Sequence, residues 1–183
     1  MKLVPTSIEG VLLLETARLG DSRGYFSEIF SKKVLPVDFV QDNESFSTRG
    51  VVRGLHFQKP PFAQAKLVRC LQGRIVDVAV DIRKGSPTYR RSVCVELSAD
   101  SNRQLFIPKG FAHGFSVLSE TALVQYKCDE FYHPEADAGI QPLDPSLGID
   151  WGLPEAEMLL KEADRLRPLL DDAAPVFFYG ETL

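Results

Sequence analysis

Arg74-Ile75-Val76-Asp77-Val78-Ala79-Val80-Asp81-Ile82 alternates without interruption. Val76, Val78, Val80 and Ile82 fall on one side, and Ile75, Asp77, Ala79 and Asp81 on the other. A repeat of two is the side-chain period of a β-strand, here with one purely aliphatic face and one mixed face. Val93, Val95 and Leu97 repeat the pattern, as do Val124, Tyr126 and Cys128. Gln72-Gly73, Gly85-Ser86-Pro87 and Pro108-Lys109-Gly110 supply turn signals between the runs. Short strands at close spacing, with no amphipathic helix between them, imply an all-β antiparallel sandwich or barrel.

The C-terminal segment reads differently. Pro154, the acidic turn Glu155-Ala156-Glu157, and then Met158, Leu159, Leu160, Ala163 and Leu166 have helical composition, with Pro168 as a stop. A short helix or two turns is expected there, packed on the outside of the β body. Val176-Phe177-Phe178-Tyr179 suits either the body or a partner subunit.

The chain has 183 residues, 44% of them hydrophobic and 25% charged, which suits one globular domain spanning 1–183. A formal charge of -4 argues against nucleic-acid binding, which calls for a basic stripe. The first apolar run, Val11–Leu14, is too short for a signal core or a membrane span. Cys70, Cys94 and Cys128 are three separated thiols without CxxC spacing. Free cysteines and a cytoplasmic location are expected.

Candidate chemistry centres on the histidines. His56 lies in Arg53-Gly54-Leu55-His56-Phe57-Gln58, and His113 in Pro108-Lys109-Gly110-Phe111-Ala112-His113. The second pattern is like a cupin metal motif. Its partner motif normally carries His-x-His and a nearby glutamate, whereas this chain has His56-x-Gln58. A catalytic metal wants about three such ligands, so the set falls short, and no metal or cofactor is expected. Without metal, His56 is either a satisfied core imidazole or a general base, since imidazole titrates near neutrality. Lys66 and Tyr126 on neighbouring strands favour the base. Arg23, Arg53 and Arg69, with Arg49 and Arg83, are either surface charges or a diphosphate clamp. Tyr25, Phe26, Phe57, Tyr126 and Tyr132 are core by default, though one or two could stack on a nucleobase.

From Ile8 to Leu170 the chain resembles one family, the dTDP-4-dehydrorhamnose 3,5-epimerases of the cupin superfamily. The landmarks are Asp21-x-Arg23-Gly24-Tyr25-Phe26-x-Glu28, Gln41-Asp42-Asn43-x-Ser45 and Gly50–Gln58. Asp77–Arg83, Ile107–Phe115 and Asp144-Pro145-x-Leu147-Gly148-Ile149-Asp150-Trp151 complete them. The resemblance implies a cupin-type jelly roll with short peripheral C-terminal helices. It implies epimerisation of a dTDP-4-keto-6-deoxyhexose at C3 and C5. His56 matches the base, Asp164 its carboxylate partner, Lys66 the cation at the C4 oxygen and Tyr126 the acid. Arg23 and Arg53 match diphosphate ligands. Phe26, Glu28, Gln41, Asn43 and Tyr132 match the nucleotide side, with Tyr132 stacking on thymine. His113, its partner Asp77, and Asp137 match the sugar end. The family often has Glu at the place of Asp137, and Lys where Ala163 precedes Asp164. A homodimer sharing pocket residues is implied.

Overall fold

The computed structural model describes residues 1–181. In chain order the strands are β1 (Lys2–Pro5), β2 (Leu12–Glu15), β3 (Leu19–Asp21), β4 (Gly24–Phe26), β5 (Gln41–Thr48), β6 (Val51–Gln58) and β7 (Lys66–Gln72). They continue as β8 (Arg74–Asp81), β9 (Ser92–Ser98), β10 (Arg103–Ile107), β11 (Phe111–Val117), β12 (Thr121–Cys128), β13 (Asp137–Gly139) and β14 (Leu159–Leu160). One short helix, α1, spans Glu162–Arg165.

Two sheets face one another. The first has the order β1-β2-β10-β7-β12-β5 and the second β13-β6-β11-β8-β9, while β3 and β4 form a separate hairpin. The ladders are antiparallel except for β14, which lies parallel to β6. This is the cupin-type jelly roll that the alternation and the motifs called for. Between the sheets Val68, Leu105 and Val124 of the first meet Ile75, Leu97 and Phe115 of the second.

Strand β8 is covered on both of its faces. Ile75 and Ala79, on the mixed face, point into the barrel core. Val78, Val80 and Ile82, on the aliphatic face, lie under the C-terminal segment with Trp151, Leu170 and Phe177. Phe177 is fully buried and packs edge-on against Phe57, 5.8 Å between ring centroids, so it belongs to the body, while the Phe178 and Tyr179 rings stay exposed. The anchor of the segment is the backbone: Lys84 N–H donates to the Phe177 carbonyl at 2.8 Å.

The two turns expected in Pro154–Leu166 are present, with a short strand inserted between them. Glu155–Glu157 make a single tight turn, Leu159–Leu160 become β14, and only four residues form α1. The reason lies in β6. Its edge is paired by β13 from Gln58 to His56 but would be bare at Val51–Val52, and β14 pairs there. Unpaired edge amides cost more than local helix preference returns. Among the described residues no helix is long and apolar enough to cross a membrane.

Candidate active site

Arg53 and His56 are three residues apart, so strict alternation would aim them at opposite faces of β6. The ladder to β11 prevents this. His56 pairs with His113 and Arg53 with Phe115, so β6 carries one more residue than its partner between these rungs. Such a bulge re-aims a side chain, and both Arg53 and His56 turn inward. Gly54 makes it possible: its φ is +132°, and a Cβ there would lie 2.6 Å from the Gly114 Cα. Asp77 and His113 face the same interior from β8 and β11, with His113 Nε2 2.8 Å from Asp77 Oδ1.

The facing wall comes from the first sheet. Register places Asn43, Tyr126 and Val68 in one row, and Gln41, Cys128 and Lys66 in the next. Val68 points into the core, so its row-mates and Lys66, two residues away, do too. The Lys66 ammonium sits 5.9 Å from the Tyr126 ring centroid. Gln41 Nε2 donates to Asn43 Oδ1 at 2.9 Å, and Gln41 Oε1 accepts the Tyr132 backbone N–H at 3.1 Å. Arg53 Nε donates to Ser47 Oγ at 2.9 Å and Nη2 to the Phe46 carbonyl at 3.3 Å.

Asp164 arrives from α1. Its Oδ1 lies 2.7 Å from His56 Nε2, with the carboxylate side chain 8% exposed against 37% for the imidazole. A carboxylate only accepts, so the N–H sits on Nε2 and the lone pair on Nδ1. Burial pushes the His56 pKa below the ordinary imidazole value, while the hydrogen bond and charge of Asp164 oppose it. The ring is therefore held neutral, as a base must be. Burial also pushes Lys66 down, partly offset by Cys128, Asp77 and Asp137. Tyr126 is pushed up by burial, which keeps its phenol protonated. Asp77 Oδ2 is buried with no hydrogen-bond partner among the described residues, and its charge bears on Lys66.

These groups line two adjoining cavities. The larger, about 540 Å³, is bounded by Arg53, His56, Lys66, His113, Tyr126, Tyr132, Asp137 and Asp164. The smaller, about 250 Å³, shares His56, Lys66, Tyr126, Tyr132 and Asp137 and adds Gln41 and Asn43. Arg23, Phe26 and Glu28 are not brought there. They lie on or just past the exposed β3–β4 hairpin, where Arg23 is engaged by Asp21 at 2.5 Å. Arg49 and Arg83 are structural, paired with Glu157 at 3.2 Å and Asp81 at 2.7 Å. Arg69 alternates to the outer face of β7. His133 stacks on Phe62 at 3.8 Å between centroids, outside both cavities. Sequence reasoning missed Arg167 and Lys161, which line the larger cavity; no local pattern flags them. Among the described residues no group of three or more His, Cys, Asp or Glu side chains could hold a metal ion.

The imidazole projects from one sheet, and the phenol and ammonium from the other. A base and an acid on facing walls of a jelly-roll mouth are the equipment of an acid–base isomerase of the cupin type. The sequence model of the family described as dTDP-4-dehydrorhamnose 3,5-epimerase matches residues 5–172. The enzyme of that name from Methanothermobacter thermautotrophicus is 48% identical, covering 96% of this chain and 97% of its own. The one from Escherichia coli K12 is 49% identical over 91% of this chain and 93% of its own. A solved structure from Legionella pneumophila, a dTDP-6-deoxy-D-glucose-3,5-epimerase in complex with dTDP-4-keto-L-rhamnose, superposes with a TM-score of 0.92 at 44% identity, covering 98% of this chain and 99% of that one. The chain belongs to the dTDP-4-dehydrorhamnose 3,5-epimerase family.

Proposed function

We propose that this single-domain chain converts dTDP-4-dehydro-6-deoxy-D-glucose to dTDP-4-dehydro-L-rhamnose by inverting C3 and C5. The observation that carries the reading is the His56–Asp164 pair on one wall, 2.7 Å apart, facing Lys66 and Tyr126 on the other. A C–H beside a ketone is acidic only when the enolate is stabilised. His56 removes the proton, and Asp164 stabilises the imidazolium that forms. The Lys66 ammonium faces the C4 oxygen as charge develops, an electrostatic term that is often the largest in such sites. Tyr126 returns a proton from the other sheet, hence to the opposite face of the ring, which inverts the centre. These proton transfers call for no metal or redox cofactor.

Arg53 takes the diphosphate, Gln41, Asn43 and Tyr132 the nucleoside, and His113, Asp77 and Asp137 the sugar end. Arg23, Phe26 and Glu28 serve a second copy of the chain, giving a homodimer in the cytoplasm. What supports this is their distance from the cavities of their own chain, together with the exposed Leu19, Tyr25 and Phe26 on the same hairpin. The test is NMR-detected entry of solvent deuterium into dTDP-4-keto-6-deoxyglucose. Exchange at C3 and C5 is expected, with His56→Ala losing both while still binding dTDP. Binding without exchange in the unaltered protein would reduce it to a nucleotide-sugar binding module.

A further inference from the structure

His56 faces more than one carboxylate. Asp164 contacts it directly, while Asp137 stands on β13, whose Gly139 pairs with His56 and which therefore shares its inward face. The other charged or titratable groups around the imidazole are Lys66 and Tyr126 from the facing sheet, Tyr132 after it, His113 from β11, Arg53 from its own strand, and Lys161 and Arg167 flanking α1. Asp137 is already engaged. Arg167 Nη2 donates to its Oδ2 at 2.6 Å, both side chains being about two-thirds or more buried. The route for that arginine is specific: a Cβ on Gly139 would lie 3.2 Å from Arg167 Nε and 2.5 Å from the Leu55 carbonyl.

The same segment needs an anchor. Helix α1 is a single turn with no side-chain cap, too short to hold its own geometry. Gln141 grips it from the body, its Nε2 donating to the Arg165 carbonyl at 2.9 Å and its N–H to the Pro168 carbonyl at 2.9 Å. The ion pair adds a side-chain tie between the residue three past Asp164 and the strand beside His56.

We infer that Arg167 is a positioning residue of the reaction, which by pairing with Asp137 clamps the Asp164-bearing turn to β13 and weakens the second carboxylate charge felt at His56. Without Arg167, a bare Asp137 carboxylate would stabilise the imidazolium in the resting enzyme and draw the base towards its inactive, protonated form. Electrostatics agree: the Asp137 charge acts to raise the His56 pKa. The inference rests on His56 being the base.

The experiment is a ¹⁵N NMR titration of the His56 imidazole in the substrate-free protein, set beside the pH dependence of kcat/KM for deuterium exchange. With three histidines in the chain the signals are assignable by single replacement. Arg167→Gln should raise the His56 midpoint and the acid limb together by about one pH unit. Arg167→Lys should keep both near their original places. Asp137→Asn combined with Arg167→Gln should restore the midpoint, because a neutral pair replaces a neutralised one. An unchanged midpoint in Arg167→Gln, or a double variant displaced by a full unit in either direction, overturns the inference. Should Arg167→Gln fail to fold, Asp137→Asn alone decides: it leaves the Arg167 charge bare and should lower the midpoint, and an unchanged midpoint overturns the inference. Failure of the base assignment looks different: His56→Ala would still exchange, whatever the midpoints.

Discussion

His56 and Asp164 are 108 residues apart in the chain, yet His56 Nε2 and Asp164 Oδ1 lie 2.7 Å apart. One comes from the inner face of β6 and the other from a single helical turn docked across it. The contact orients the ring and places its N–H on Nε2. It also supplies the negative charge that an imidazolium needs after it has taken a proton.

Asp164→Asn keeps the shape and removes the charge. Exchange should fall by about 10²-fold or more, within the range that positioned acid–base groups supply. The sign of the pH effect is set by what Asp164 does now: its hydrogen bond and charge hold the His56 pKa up against burial. Without them burial and the Lys66 charge outweigh the smaller pull of Asp137, so the acid limb of kcat/KM should move to lower pH. A limb that moves upward would contradict this arrangement.

Tyr126→Phe removes the phenol and leaves the opposite wall intact. Solvent deuterium should still enter the sugar, because His56 and Lys66 remain. Net inversion should fall well below exchange, since proton return from the far face is lost. Equal rates of exchange and inversion would remove Tyr126 from its assigned role.

Gly54→Ala tests the bulge. The new methyl would meet Gly114 Cα at 2.6 Å and the His113 carbonyl at 2.9 Å, at a φ of +132°. A strained backbone of this kind costs about 1–3 kcal/mol before the clash is counted. The expected outcome is a lower Tm together with loss of exchange, because relaxing the bulge re-aims His56. A folded variant of unchanged Tm and full activity would show that the bulge is not required.

Burial pushes the Cys70 thiol up to about 11 from an ordinary value of 9.0. The folded state thus holds the proton more tightly than the unfolded chain. The resulting stability is fully present below about pH 9 and is lost as pH rises towards about 11, amounting to about 2–3 kcal/mol. Denaturant midpoints should fall across that window, and Cys70→Ala should flatten the slope at a cost of roughly 1 kcal/mol at neutral pH.

Strand β8 was readable without a fold because alternation is local: nine residues suffice to show two faces. What covers each face was not. Val78 and Val80, on the aliphatic side, lie under Trp151 and Phe177, while the barrel interior takes Ile75 and Ala79 from the mixed side. The strand between the two C-terminal turns was hidden for a related reason. Composition reports local preference, while the bare edge of β6 at Val51–Val52 recruited Leu159–Leu160 as a strand.

The sequence by itself determined the strands, the turns between them and the residue types available for acid–base work: His56, Lys66, Tyr126, Asp164 and the arginines. Tertiary structure decided which of them meet. It turned Arg53 and His56 to one side through a single extra residue, brought Asp164 to the imidazole, left Arg23 on an exposed hairpin and paired Arg167 with Asp137. The physical reason is that periodicity follows from the backbone geometry of neighbouring residues, whereas register shifts, edge pairing and ion-pair partners depend on groups distant in sequence that meet only when the sheets close.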